Sequence, residues 1–225
     1  MIFTIITLFP QIFKEVFSAS IIKRAQDSKK IKFNFFDLRD FGVGKHKIVD
    51  DKPYGGGTGM VLRIDVLSKA VSKAKTGRGR ETVILLDPKG KKYTQSQVEK
   101  LSRFNHLILI CGHYEGFDER VRDLVDYEIS IGDYILSGGE IAAMVIVDSV
   151  ARLIPGVLKK SDATLFESFT KCRGKRILEY PQYTRPAVFR GKKVPNVLMS
   201  GNFAEIEKYR AREAQNITQK RRPDL

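Results

Sequence analysis

The 225-residue sequence has few of the residues that build disulfide frameworks and metal centres. It contains two cysteines, Cys111 and Cys172, three histidines and no tryptophan. Two cysteines cannot form a disulfide framework or a four-ligand zinc site, and the scattered histidines lack the spacing of metal ligands. We therefore expect a protein of a reducing compartment.

Long apolar runs are also missing. No stretch reaches the ~18 consecutive apolar residues of a membrane span. Residues 1–13 are apolar, but they have no basic start and no small-residue cleavage site, and Pro10 interrupts them early. We interpret this run as a first buried strand and expect a cytoplasmic protein with no membrane partner.

Two common nucleotide-binding motifs are absent. No G-x-G-x-x-G follows the first predicted strand, and no G-x-x-x-x-G-K-[ST] occurs anywhere in the chain. Dinucleotide-dependent oxidoreductases and P-loop enzymes are therefore disfavoured.

Positive charge is abundant and unevenly distributed. The formal net charge is +14. Residues 171–225 hold 14 Lys and Arg against 5 Asp and Glu, a net of +9, which leaves +5 for the first 170 residues. A basic C-terminal quarter favours a polyanionic partner, nucleic acid first and an anionic membrane second. A solvated basic surface would have the same composition.

Apolar periodicity predicts an α/β chain with a mainly parallel sheet and helices on both sides. Strands are predicted over residues 2–9, 31–38, 82–86 and 107–111, and helices over residues 13–26 and 139–153. The last two strands are continuous apolar runs, which is typical of strands covered on both faces. Thr94 and Gln97 form a capping-box signature that opens a further helix.

The chain is predicted to have two domains. Residues 1–158 would form the α/β domain, and residues 159–176 a polar, basic interdomain linker without apolar periodicity. Residues 177–225 would form a small helical domain. Its capping signature, Asn202 with Glu205, leads into a helix over residues 206–215.

Three glycine-bearing segments directly follow predicted strands, at residues 85–90, 111–116 and 130–140. Ligands bind at the carboxyl ends of strands in parallel sheets, and glycine permits close backbone approach. We therefore expect one shared pocket, suited to an adenosine. A fourth glycine run at residues 53–60 is either a functional loop or a flexible connection.

Seven segments together resemble the bacterial tRNA (guanine-N1)-methyltransferases, the TrmD family of the SPOUT class. They are residues 51–60 (DKPYGGGTGM), 111–120 (CGHYEGFDER), 131–140 (IGDYILSGGE), 152–158 (RLIPGVL), 183–186 (YTRP), 198–201 (LMSG) and 221–223 (RRP). They occur in order and span nearly the whole chain.

The resemblance implies a deep trefoil knot in the first domain and an obligate homodimer with its active site between subunits. It also implies a C-terminal domain that holds tRNA. The reaction would move a methyl group from S-adenosylmethionine to N1 of the guanosine 3′ of the anticodon, where another guanosine precedes it. Magnesium would be required, although no carboxylate cage in the sequence shows where the ion binds.

The resemblance also assigns site residues. Glu115 would meet the positively charged end of the cofactor, and Tyr54 would approach the cofactor or the target base. The cofactor positions are Leu86, Asp87, Pro88, Gly112, Tyr114, Glu115, Ile131, Gly132, Asp133, Tyr134, Ile135, Leu136, Gly138 and Gly139.

Two residues match the family's catalytic pair. The family's arginine corresponds to Arg152, which would lie near guanine O6. The family's general base is an aspartate before a Ser-Phe pair, and its position here is held by Glu167, one methylene longer. Asp162, five residues upstream, is the rival base. Without the resemblance, both carboxylates would be interpreted as solvated linker residues.

Two alternative functions remain open. One is a methyltransferase of the same fold that acts on another RNA, such as ribosomal RNA. The other is a non-catalytic RNA-binding relative, for which the change from aspartate to Glu167 is the only support. Residues 53–60 and 183–186 favour the guanine-N1 branch, and the intact glycine segments favour a catalyst.

Overall fold

The computed structural model describes residues 1–159, 164–172 and 174–225, and the chain divides into two compact units, Met1–Lys159 and Lys160–Leu225. The strands of the first unit are β1 (Ile2–Thr7), β2 (Lys32–Asp37), β3 (Asp50–Asp51), β4 (Val61–Leu62), β5 (Glu81–Lys92), β6 (His106–Cys111) and β7 (Tyr127–Ser130). Its helices are α1 (Phe13–Phe17), α2 (Ser20–Asp27), α3 (Ile64–Ala74), α4 (Gln95–Leu101) and α5 (Glu140–Ala151). Short 3₁₀ helices occupy Pro10–Ile12, Leu38–Phe41 and Glu119–Leu124.

A five-stranded parallel sheet organises this unit, in the order β2-β1-β6-β5-β7. Two apolar cores cover its faces. Successive residues of one strand enter opposite cores: Leu107 and Leu109 pack in one, and Ile108 and Ile110 in the other. The predicted α/β class and the doubly covered central strands are therefore confirmed.

The prediction of one continuous helix over residues 13–26 is wrong. α1 ends at Phe17, and α2 begins at Ser20, which has a left-handed φ of 50°. The Ser18 hydroxyl donates to the Glu15 carbonyl at 3.0 Å, so a local side-chain bond helps to end α1.

The predicted strand over residues 82–86 is the first part of a longer strand. β5 runs to Lys92, with a register shift against β7 between Leu86 and Lys91. Pro88 lies in this bulge and has no backbone N–H to pair. A Cβ at Gly90 would lie 2.5 Å from the Ile129 backbone nitrogen, so only glycine fits. The expected loop at residues 85–90 is therefore a bulge within the sheet.

Both helix-start signatures are confirmed. The Thr94 backbone N–H donates to Gln97 Oε1 at 2.9 Å at the start of α4. Asn202 Oδ1 accepts from the Glu205 backbone N–H at 3.3 Å in the second unit. The predicted helix over residues 139–153 is α5, shorter by a residue or two at each end.

The described part of the second unit contains one long helix and two short hairpins. The strands are β8 (Thr170–Cys172) with β9 (Lys175–Ile177), and β10 (Val188–Phe189) with β11 (Lys192–Lys193). A 3₁₀ helix, Asn196–Met199, precedes α6 (Phe203–Arg221). The first hairpin lies mostly within the segment interpreted as a linker, because three-residue strands leave no periodicity to detect.

α6 extends well beyond the predicted range of residues 206–215. Its polar sequence is supported by ion pairs one turn apart, between Lys208 and Glu205 and between Arg210 and Glu207. In the described ranges, no helix is long and apolar enough to cross a membrane.

Candidate active site

The segments that follow β6 and β7, together with the bulge in β5, enclose a cavity of about 400 Å³. All the predicted cofactor residues except Asp133 line it. Parallel strands present their carboxyl ends at one edge of the sheet, which is why segments distant in sequence meet here. Lys89, His113, Gly116, Phe117, Ile129, Ser130, Ser137 and Ala142 complete the lining.

Asp133 lies outside the cavity lining. Its side chain is largely exposed, and Oδ2 forms an ion pair with Lys92 Nζ at 3.3 Å. Its neighbours Gly132 and Tyr134 do line the cavity. That Asp133 contacts the cofactor stays a prediction.

Two glycine segments touch through their backbones at the base of the cavity. The Gly139 N–H donates to the Gly112 carbonyl at 2.9 Å. A Cβ at Gly139 would lie 2.7 Å from Cys111 Cα and 2.8 Å from the Gly112 nitrogen. A Cβ at Gly138 would overlap the His113 ring. Glycine is required here for close approach between the segments.

A buried carboxylate joins three elements beside these glycines. Glu140, at the start of α5, is 3% exposed. Its Oε1 accepts from the Thr7 hydroxyl at 2.6 Å, and its Oε2 lies 2.9 Å from His113 Nε2. Burial, and then the charge of Glu140, raise the pKa of the Cys111 thiol. The network fixes the end of β1, the segment after β6 and the start of α5 together.

Thr7, Glu140 and His113 were not predicted as site residues. A signal for Glu140 was present, because it is a charged residue heading the otherwise apolar stretch that becomes α5. No comparable signal marks Thr7, which is 133 positions away from Glu140 in the chain.

The fourth glycine run packs against the segment after β6. The Glu115 N–H donates to the Met60 carbonyl, and the Leu62 N–H donates to the Gly116 carbonyl, both at 3.0 Å. Gly59 has a φ of 85°, and a Cβ there would overlap the Glu115 side chain. The run therefore lies beside the cavity, with the Tyr54 side chain fully exposed.

Tyr114 stands at the cavity with a left-handed φ of 60° and about half of its surface exposed. Partial burial, together with the charge and hydrogen bond of Asp50, raises the pKa of the Tyr114 hydroxyl. Asp50 was not predicted as a site residue. The contact connects β3 to the cavity wall.

Asp87 is held by a basic partner rather than left as a free charge. Its Oδ2 lies 3.6 Å from Arg122 Nη2, and its Oδ1 accepts from the Lys89 N–H at 2.9 Å. Arg122 also pairs with Glu119 and Glu128. Arg122 therefore offsets the charge of Asp87 at the cavity wall.

The predicted catalytic residues lie in different units. Arg152 directly follows α5, and its backbone N–H donates to the Asp148 carbonyl at 3.3 Å. The Glu167 carbonyl accepts from the Thr170 hydroxyl at 2.6 Å and from the Thr170 N–H at 3.1 Å. Asp162 lies outside the described residues. The choice of Glu167 over Asp162 therefore stays a prediction.

Metal ligands do not cluster in the described part of the chain. No group of three or more His, Cys, Asp or Glu side chains there could hold an ion. The magnesium site expected from the resemblance is not located by these side chains.

The whole chain matches one protein family. A model of the family described as "tRNA (Guanine-1)-methyltransferase TrmD" matches residues 1–225. The chain belongs to this family. The parallel sheet with flanking helices is consistent with the SPOUT fold of its members.

Several relatives of this TrmD chain are similar over nearly their full length. A tRNA (guanine-N(1)-)-methyltransferase of Caldanaerobacter subterraneus subsp. tengcongensis is 52% identical over 225 residues, which cover all of this chain and 91% of the relative. One of Geobacillus kaustophilus is 52% identical over 222 residues, covering 98% and 89%. One of Listeria innocua is 49% identical over 224 residues, covering 98% and 90%.

Proposed function

We propose that this protein transfers a methyl group from S-adenosylmethionine to N1 of the guanosine 3′ of the anticodon in tRNA, where another guanosine precedes it. The observation that carries the proposal is the family match over residues 1–225. The cavity at the carboxyl edge of the sheet supports it, because residues from all three glycine segments meet there.

The residues of the cavity fit S-adenosylmethionine. Gly138 and Gly139 have no Cβ atoms, so an adenosine could approach the backbone closely at the base of the cavity. Apolar walls from Leu86, Ile131 and Leu136 suit the purine ring. Glu115 would pair with the cationic end of the molecule. When bound, the cofactor supplies a methyl group activated on a sulfonium.

The target nitrogen requires a base. N1 of guanine carries a proton at neutral pH and is a poor nucleophile until that proton is removed. In this proposal Glu167 accepts the N1 proton, and Arg152 stabilises the charge that develops on O6. The alignment with the family's Ser-Phe pair supports Glu167, since Ser168 and Phe169 follow it.

Contacts within the second unit would hold Glu167 in a defined backbone conformation. The Ser168 hydroxyl accepts from the Glu179 N–H at 3.1 Å, and the Phe169 N–H donates to the Ile177 carbonyl at 2.7 Å. A base held on an ordered backbone loses less entropy when it meets the substrate.

The proposal includes a homodimer, a trefoil knot and bound magnesium, all expected from the family resemblance, in a cytoplasmic protein. Exposed apolar side chains support the dimer. Ile141 and Val145 lie one turn apart on α5 and are 49% and 40% exposed, and Ile135 beside the cavity is 80% exposed. A second subunit would cover such a surface.

A methyl-transfer assay on tRNA transcripts tests the function. A transcript with guanosines at and before the target position should yield 1-methylguanosine, identified by mass spectrometry of nucleosides. Replacement of the target guanosine by adenosine should abolish the product, and replacement of the preceding guanosine should reduce it strongly. Methylation of ribosomal RNA in place of tRNA would support the alternative of the same fold. S-adenosylmethionine binding without transfer to any RNA would contradict the proposal.

A further inference from the structure

The Lys160–Leu225 unit contains a cavity that the proposed reaction does not use. Its volume is about 450 Å³. Residues before β10, residues around the Asn196–Met199 turn and residues of α6 form its walls. The polar and aromatic part of the lining is Tyr180, Gln182, Tyr183, Thr184, Arg185 and Arg210.

Arg210 brings positive charge to the wall of this cavity. Its guanidinium lies over the Tyr180 ring at 4.8 Å, and Nη1 donates to Glu207 Oε1 at 2.8 Å. These two contacts hold the guanidinium in place beside the cavity.

Tyr183 provides an accessible aromatic surface in the same cavity. Its side chain is 47% exposed, so part of the ring surface is open to a ligand. Such a ring is a platform for a planar ligand.

The surrounding charge selects the kind of ligand. Residues 171–225 carry a net charge of +9, from 14 Lys and Arg against 5 Asp and Glu. Proteins bind single-stranded nucleic acid by combining positive charge along the backbone with aromatic rings on which bases stack. Unpaired RNA bases also offer hydrogen-bond acceptors on their edges.

We propose that this cavity binds one unstacked base of the tRNA, with the base stacked on Tyr183 and lying beside the Arg210 guanidinium. The identity of the RNA rests on the proposed function, but the site itself is separate from the methyl-transfer cavity. The second unit would then contribute a base-binding contact in addition to phosphate contacts.

Two variants of one residue test the stacking. Tyr183→Phe keeps the ring, whereas Tyr183→Leu keeps apolar volume without a ring. Equilibrium binding of a tRNA transcript to the full-length protein should weaken roughly 5- to 150-fold for Tyr183→Leu, the range for loss of one stacked base, and little for Tyr183→Phe. The loss should persist at raised salt, since stacking releases no counterions. Equal affinities of the two variants would overturn the proposal.

A matched control separates stacking from charge. Lys208 lies on α6, the helix that carries Arg210. Its side chain is largely exposed and pairs with Glu205. Lys208→Ala should lower tRNA affinity only at low salt. If Tyr183→Leu showed the same salt dependence as Lys208→Ala, the stacking contact would be refuted.

Abasic substitutions identify the base. One abasic nucleotide in the tRNA loops should weaken binding to the unmodified protein and have no further effect on Tyr183→Leu. Additive losses at every position would contradict the cavity. Methyl transfer by the unmodified protein reports separately on the proposed function. If tRNA binding depended on Tyr183 but no 1-methylguanosine formed, the proposed function would be wrong and the cavity would remain supported. If methyl transfer occurred but tRNA binding did not depend on Tyr183, the cavity proposal would be wrong and the proposed function would remain supported.

Discussion

At the scale of single residues, the adjacent residues Gly139 and Glu140 contribute to the cavity in different ways. Gly139 lets the segment before α5 touch the backbone after β6, and Glu140 joins α5 to Thr7 and His113. The first is a steric requirement, and the second is a buried charge that survives because hydrogen bonds satisfy it. Both act on the shape of the cavity rather than on a reacting atom.

The steric requirement at Gly139 gives a direct prediction. Gly139→Ala places a Cβ against immobile backbone at Cys111 and Gly112, so the two segments must separate. Calorimetric titration with S-adenosylmethionine should show affinity lowered tenfold or more, since misplacement on the scale of 1 Å is costly. The control is Gly77→Ala. Gly77 has a φ of 65°, so alanine is unfavourable for the backbone there too, but the space around it is open. Unchanged affinity in Gly139→Ala would remove this contact from the cofactor site.

At the scale of elements, electrostatic contacts at the start of β5 affect the free energy of unfolding. Burial opposes the ionisation of Glu81 at the start of β5, but bonds from the Thr76 N–H and hydroxyl, the Gly77 N–H and His106 lower its pKa to about 2. The folded-state pKa is below the ordinary 4.5, so the contribution to stability is complete above that pH. It is lost as the pH falls from 4.5 towards 2.

Glu81→Gln should therefore lower the free energy of unfolding at pH 7, and the difference from the unmodified protein should shrink between pH 4.5 and pH 2. Denaturant unfolding at several pH values measures it. Glu15→Gln removes an exposed carboxylate from α1 and should have little effect at any pH. A Glu81→Gln deficit that stays constant down to pH 3 would show that the lost stability does not come from ionisation.

The elements also show what the sequence can and cannot predict. β6 and α5 were predictable, because a strand covered on both faces and a buried helix leave continuous apolar runs. The break at Ser20 and the bulge in β5 were not, because a positive φ and a register shift arise from tertiary contacts. β7 is four residues long and half polar, so only the glycine segment after it indicated a strand, and its bounds were not predictable.

The site was predictable to a similar degree, for similar reasons. Glycine after an apolar strand is a local signal, so the segments at residues 111–116 and 130–140 could be assigned to one pocket. The contact of Thr7 with Glu140 is between distant positions, and no local pattern marks it. The cavity at Tyr183 was also missed, because its aromatic and basic residues are scattered along residues 180–210.

At the scale of the whole molecule, the uneven charge predicts how tRNA binds. Binding should depend on phosphate contacts from the basic residues of 171–225, and counterion release makes such binding sensitive to salt. With about four contacts, affinity should fall roughly 50- to 150-fold between 50 and 200 mM salt. Filter binding measures the slope. The double variant Lys192→Ala and Lys193→Ala should make the affinity depend less steeply on salt, whereas Lys23→Ala on α2 should not. An affinity independent of salt would exclude this mode of binding.

The central claim is that a carboxylate of the second unit removes the N1 proton of guanine while the first unit holds the methyl donor. Single-turnover methyl transfer by Glu167→Gln tests it most directly. We expect a rate lowered roughly 100-fold or more, the usual contribution of a positioned base, with affinities for S-adenosylmethionine and tRNA nearly unchanged. Asp162→Asn should be close to the unmodified protein. An inactive Asp162→Asn beside an active Glu167→Gln would contradict the assignment.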